Sequence, residues 1–328
     1  MRRGDADSES DWDSNADSEA DESPVRGALG PIASKVLMQV LYTTRMCRYN
    51  LLRATGRLAT LVTKWTEECD RKLHRLMSYI ASSLDVKLVA YVGDKIEDQI
   101  LRLFADSEFA GCKTSGRSTF GTYVSLQGPR THCPYSAQSK KHDATSHHTA
   151  EAEIVALDMV VRKDAMPLLQ LFETILPNGI IIEVEEDNDP AIVIVEKAKL
   201  NTIRHMNRTH RVDVKSLHDS FKREKNMNLR KIGTNEQAAD IFTKPFTNGD
   251  KCGAALEMMS HFHGGIDAAV RSVISKSGNS CFVPRCHSQF KPRYTATIDT
   301  HPPRTLSVHH CYDQPNRAAG SPDFNSSA

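Results

Sequence analysis

The chain has 328 residues, 39% of them hydrophobic and 25% charged, with a net charge of +1. These values fit an ordinary globular protein of two domains, or of one domain with long tails. No apolar run reaches the ~18–20 residues of a membrane helix, the acidic start argues against a secretory signal peptide, and eight irregularly spaced cysteines argue against a disulfide scaffold and fit a reducing intracellular setting, cytoplasmic or nuclear.

The small net charge conceals an asymmetry. Residues 1–22 carry nine acids against two arginines, and the remainder carries 40 Lys+Arg against 32 Asp+Glu. A basic body with an acidic tail points mildly to a nucleic-acid partner. Residues 1–33 are rich in Ser, Asp and Glu and have little to bury, so they read as a disordered tail. Residues 34–83 read as a small helical hairpin: Leu51, Leu52, Leu58, Leu61 and Trp65, then Cys69, Leu73, Leu76 and Ile80, recur near helical spacing, and basic residues fill the other faces.

From residue 86 the period changes. VKLVAYV (86–92), QILRLFAD (99–106) and TFGTYVSLQG (119–128) read as strands, and HCPYSAQSK (132–140) as a weak fourth. Helices are predicted at about 149–164 and at 165–176. NGIIIEVEEDN (178–188) is a strand bounded by turn residues, 190–200 opens as a helix with Pro at its first position, 210–225 is a basic helix, 228–234 a short strand, and NEQAADIFTKP (235–245) a last helix stopped by Pro245. Strands followed by alternating helix and strand indicate a mixed sheet with helices packed on it. Residues 248–328 lose periodicity and read as largely disordered.

Four carboxylates occupy unusual places. In TAEAEIVAL (149–157), Thr149 is a plausible N-cap, and the helix dipole explains Glu151 in the first turn. Glu153 lines up instead with Leu157 and Val160 on the apolar stripe, where an acid is costly without compensation. Asp106 ends the strand LRLFAD, Asp187 ends IIIEVEED, and Asp240 lies within the last helix. In open sheets covered by helices, ligands collect beyond the carboxyl ends of the strands. Four acids sharing one pocket repel unless a cation joins them. Oxygen-only ligands suit Mg²⁺ or Mn²⁺.

At these residues the sequence resembles the ribonuclease H domain of copia-type LTR retrotransposon polyproteins. ADSEFAGCKTSGRSTFGTYVSL (105–126), SAQSKKHDATSHHTAEAEIVAL (136–157), EDNDPAI (186–192), NRTHRVDVKSLHDSFKRE (207–224) and NEQAADIFTKPF (235–246) match five of its blocks in order and rough spacing. Residues 34–83 resemble, more weakly, the segment joining reverse transcriptase to ribonuclease H. The resemblance covers about residues 40–247. It implies a ribonuclease H-like α/β fold: a five-stranded mixed sheet with flanking helices over 84–247, preceded by the helical segment and flanked by disordered tails.

It further implies that Asp106, Glu153, Asp187 and Asp240 hold two Mg²⁺ ions (Mn²⁺ is possible) and that the chain cuts the RNA strand of an RNA–DNA hybrid. No membrane partner and no small-molecule cofactor are expected. Lys140, Lys141, Arg208, Arg211, Lys222, Arg223 and Lys225 are the candidates for phosphate contact. The sequence departs from the family at Ile154 for Tyr, at Glu108-Phe109 for Asp-Trp, at Cys112 for Asp and at His210-Arg211 for Lys-His, and 226–239 contains no histidine. No Tyr-x-Asp-Asp polymerase signature occurs, although a reverse transcriptase polymerase region is the expected companion in a full-length element. The alternative is therefore a truncated, inactive remnant that keeps the fold and at most binds nucleic acid. A second alternative is a zinc module formed by Cys281, Cys286, His287, His309, His310 and Cys311.

Overall fold

The computed structural model describes residues 25–112, 115–198, 205–246 and 248–276. All fall in the first of two compact units, Met1–Pro284; the second, Arg285–Ala328, lies outside the described residues, as do all six residues of the zinc alternative.

The N-terminal segment holds three helices, α1 (Gly30–Met46), α2 (Leu52–Ala59) and α3 (Glu67–Ser82). They bury one shared stripe that includes Leu37, Leu51, Leu58, Trp65, Leu73 and Leu76. The helical spacing seen in the sequence is thus real, but α1 begins inside the expected tail. The reason is local: Pro31 stands in its first turn, and Ala33 and Leu37 on its inner face are fully buried.

β1 (Val86–Leu88) is shorter than the strand expected at 86–92 and does not join the main sheet. It pairs antiparallel with β7 (His261–His263), which comes from a region expected to lack regular structure. α9 (Gly249–Met258) and α10 (Ile266–Lys276) flank β7, so residues 249–276 are folded where periodicity was too weak to show it.

The main sheet has five strands, β2 (Ile100–Glu108), β3 (Thr119–Gly128), β4 (Thr131–Lys141), β5 (Ile181–Glu186) and β6 (Met227–Lys231), in the spatial order β4-β3-β2-β5-β6. β2, β3 and β4 are antiparallel neighbours; β5 runs parallel to β2, and β6 parallel to β5. This is the five-stranded mixed sheet with flanking helices expected of a ribonuclease H-like fold.

Helices cover both faces. Alternation along β2 sends Leu101, Leu103 and Ala105 into a layer with Ile154, Leu157, Leu169 and Leu217. Phe104 goes to the other layer, with Tyr49, Leu52, Phe242 and Met259. The first layer comprises α4 (Thr149–Val160), α5 (Met166–Ile175), α6 (Asp189–Lys197), the single turn α7 (Met206–Thr209) and α8 (Val214–Arg223). A π-helical turn, Val161–Ala165, joins α4 to α5.

The helix expected over 235–245 is instead two 3₁₀ turns, Thr234–Glu236 and Ala238–Phe242. Gln237 between them has extended backbone. Its side chain accepts from the Ala239 N–H and donates to the Ala105 carbonyl at 2.8 Å, which anchors the second turn on β2 and ends the first. No described helix is long and apolar enough to cross a membrane.

Candidate active site

Asp106 is fully buried and pairs with Gly121 across the β2–β3 ladder. It does not end its strand, which runs on to Glu108. It does lie beyond the last β2–β5 pair, Phe104 with Glu185, so the sheet opens beside it. Asp187 follows β5 directly and is half-buried at that same opening. Two parallel strands parting at their carboxyl ends therefore bring the two aspartates near one another.

Asp240 arrives from the 3₁₀ turn Ala238–Phe242, which presses closely on β3. A Cβ at Gly121 would meet the Phe242 Cβ at 2.7 Å and the Ala239 carbonyl oxygen at 2.8 Å, so only glycine permits this approach. Ser139 of β4 donates to the Phe242 carbonyl at 2.6 Å, and Arg53 of α2 donates to the Thr243 carbonyl at 2.8 Å. So held, Thr243 donates its hydroxyl to Asp106 Oδ2. Lys244 Nζ bridges Asp106 Oδ1 at 3.1 Å and Asp240 Oδ1 at 2.7 Å.

Glu153 projects from the first half of α4 and is only 4% exposed. Burial first, then the negative charges of Glu186, Asp106 and Asp187, push its carboxyl up to about 11. Burial and Asp106 push Asp240 up to about 6 against the pull of Lys244. Burial also raises Glu186 well above the usual range, with Asp187 and Asp106 adding to it. Burial opposes the charge on Lys244, but Asp106 and Asp240 outweigh it and the ammonium is held more firmly than usual. Asp106 and Asp187 thus stand within electrostatic reach of both Glu153 and Asp240.

Three participants in the site, Glu186, Thr243 and Lys244, were not legible in the sequence. Glu186 is a fifth acid, fully buried, with one oxygen accepting from the Asn188 N–H at 3.1 Å. Its signal was the pair Glu185-Glu186 inside a strand buried on both faces. Thr243 and Lys244 stand in NEQAADIFTKPF, but the order of residues assigns them no partner.

Glu151, which the sequence explains simply as an acid in the first turn of a helix, lies apart from the cluster. It is fully buried; its Oε1 meets His210 Nε2 at 2.8 Å and His205 Nε2 at 3.1 Å, and its Oε2 accepts from the His147 N–H at 2.9 Å. Burial raises its carboxyl, but these donors outweigh that and hold it below the usual value. α4 lacks an exposed face because only Thr149, Glu151, Glu153 and Asp158 are polar along it, and a helix apolar all round is buried all round. Its N-cap is His148, whose Nδ1 accepts from the Glu151 N–H at 3.2 Å, and Thr149 is the first helical residue.

The donor set beside Asp106 consists of carboxylate oxygens, which suits Mg²⁺ or Mn²⁺. One oxygen each of Glu153 and Glu186 is buried with no hydrogen-bond partner, a cost that a divalent cation would relieve. Yet no three His, Cys, Asp or Glu among the described residues converge to hold a metal ion. The positive charge between Asp106 and Asp240 is that of Lys244.

The basic candidates do not form one patch. Lys140 and Lys141 end the edge strand β4, where Lys141 Nζ lies 3.0 Å from Cys112 Sγ. Lys222 and Arg223 end α8, which packs beside the opposite edge strand β6; Lys225 follows and is exposed. Arg208 lies in α7, and Arg211 is exposed in a left-handed backbone conformation, φ 58°.

No family model matches the chain. Among solved structures it is similar to RNase H1 from the halophilic archaeon Halobacterium salinarum, with 16% identity over 44% of this chain and 93% of that one and a TM-score of 0.30. It is similar to LC11-RNase H1, isolated from compost by a metagenomic approach, with 18% identity over 44% and 92% and a TM-score of 0.32. It is similar also to the RNase H domain of prototype foamy virus, with 13% identity over 50% and 94% and a TM-score of 0.29.

Proposed function

We propose that this chain is a ribonuclease H of copia-type retrotransposon origin that hydrolyses the RNA strand of RNA–DNA hybrids. The observation that carries the reading is the gathering of acids from four separate elements, with buried oxygens of Glu153 and Glu186 left without donors. Asp106, Glu153, Asp187 and Asp240 would hold the divalent ions, with Glu186 behind them. Bound there, Mg²⁺ or Mn²⁺ supplies activation of the attacking water and charge neutralisation at the departing 3′ oxygen. Thr243 and Lys244 orient Asp106 by donating to its two oxygens. Preference for the RNA strand follows from 2′-hydroxyl contacts across a wide minor groove. Lys140, Lys141, Arg208, Arg211, Lys222, Arg223 and Lys225 would meet phosphates, and the polymerase region of a reverse transcriptase is the natural companion.

The second reading is a fold that binds hybrid without cutting it. The Lys244 bridge favours it, because a lysine already neutralises two of the four acids. The test is cleavage of a labelled hybrid in Mg²⁺ or Mn²⁺ by the wild type and Asp106→Asn. Hydrolysis lost at least ~10³-fold in the variant, a range typical of removing a group that acts in the transition state, supports the nuclease. Equal background in both leaves the binding protein.

A further inference from the structure

Between the helical segment and the end of the β3–β4 hairpin lies a cavity of about 440 Å³. Six cations line it: Arg45 at the end of α1, Arg53 and Arg57 in α2, Arg117 in the β2–β3 connection, and Lys140 and Lys141 at the end of β4. Among the described residues Asp143 is the one acid in the lining, 3.9 Å from Lys140, and Glu108 approaches Arg53 at 3.6 Å. A second cavity of about 370 Å³ shares Arg53 and Arg57 and adds Arg75 and Lys244. The two form one basic track that ends at the lysine bridging Asp106 and Asp240. Arg53 ties the track to the acids, since it donates to the carbonyl of Thr243.

A solvated basic helix face would spread such charges outward along one element. Here they converge from four separate segments on one concavity, whose summed field favours an anion. We propose that this track binds the phosphodiester backbone of a nucleic acid and delivers it to the acid cluster, so that the helical segment is part of the substrate-binding surface. The proposal rests on the hybrid-cleaving reading for its substrate, and it can fail independently of it.

The test uses the full chain in EDTA, so that binding is read without cleavage, with a ~20-base-pair fluorescent RNA–DNA hybrid. Arg45 and Arg117 are both exposed, and neither touches the acids. The double variant Arg45→Glu/Arg117→Glu is expected to bind at least ~10-fold more weakly at 0.1 M salt, and to flatten the dependence of log affinity on log salt by about two, one for each phosphate no longer neutralised. Lys163→Glu, an exposed charge reversal outside both cavities, controls for overall charge. Arg45→Gln/Arg117→Gln, expected to lose less, serves if the reversal disturbs folding.

Cys112 offers a local readout. It lines the cavity, and Lys141 holds its thiol down to about 7 against the effect of burial. Its alkylation, followed by peptide mapping with the exposed Cys47 as reference, should slow severalfold with hybrid and not with 10 mM inorganic phosphate. Affinity and salt slope unchanged in both double variants, or changed equally by Lys163→Glu, overturn the proposal. Protection of Cys112 by inorganic phosphate but not by hybrid also overturns it, in favour of a small-anion site. Weakened binding in the double variant without hydrolysis by the wild type in Mg²⁺ would sink the nuclease reading and leave the track standing. Normal hydrolysis with unchanged binding would do the reverse.

Discussion

Glu151 and Glu153 stand two positions apart on α4, and their surroundings divide them. Glu153 faces other acids with a buried oxygen unpartnered, so its carboxyl holds its proton up to about pH 11 in the metal-free protein. Glu153→Gln, which imitates the protonated form, is therefore expected to change the stability of the metal-free protein at pH 7 by less than ~1 kcal/mol while abolishing hybrid cleavage; urea unfolding in EDTA and the cleavage assay measure the two effects. Glu151 has the opposite fate, ionised among His147, His205 and His210. Glu151→Ala leaves those donors unpaired inside the protein and is expected to cost ~2–5 kcal/mol by urea unfolding. Because its folded carboxyl titrates below the unfolded one, the stability Glu151 contributes is complete above the ordinary glutamate range and is lost as pH falls through the lower folded value.

The element that decides the site is the 3₁₀ turn Ala238–Phe242. The segment around it, NEQAADIFTKP, reads as a helix, and nothing before Pro245 forbids one. It becomes a tight turn because Gln237 bonds the β2 backbone and Gly121 lets Phe242 come into contact with β3. Gly121→Ala is expected to destabilise by ~1–3 kcal/mol through overpacking. It should also impair cleavage beyond that loss, since Asp240, Thr243 and Lys244 move with the turn; comparing unfolding midpoints with activity at a temperature where the variant is folded checks both. β4 shows the converse. It read as a weak strand and carries Pro134, yet β4 is an edge strand paired along its length with β3 and bridged at His132 to Tyr91, and the N–H that Pro134 lacks is tolerated at an edge.

At the scale of the whole molecule, two buried histidines oppose the acid cluster as pH changes. Burial pulls His142 and His261 down to about 4, and each has a buried ring nitrogen without a partner. Between about pH 6.5 and 4 the unfolded chain takes up protons that these folded rings refuse, so their contribution to stability falls as pH falls, by up to ~1.4 kcal/mol per pH unit for each. Glu153, Glu186 and Asp240 act in the other direction, since their raised folded values favour the folded state below the unfolded carboxyl range and lose that advantage as pH rises. His261→Gln is therefore expected to make stability fall less steeply toward pH 5 than in the wild type, read as the difference in urea midpoints between pH 7.5 and 5. Identical slopes in the two proteins would refute the burial of His261 as a neutral ring.

Strand and helix periods, the mixed sheet and four acids at odds with their local pattern were all legible in the amino-acid order, because periodicity and side-chain chemistry are local properties. β3 could be read to the residue and β2 to within two, since apolar residues alternating along a short run bounded by turn residues leave little else to form. Residues 249–276 could not, because β7 is stabilised by pairing with β1, 173 or more positions away, and by burying Phe262 against Val89. Only the tertiary structure decided that Glu151 is internal, that Glu186 is a fifth acid, that Lys244 joins Asp106 to Asp240, and that arginines of the helical segment converge on the end of β4. Each depends on which distant segment lies across a few ångströms of space, and distance along the chain carries no record of that.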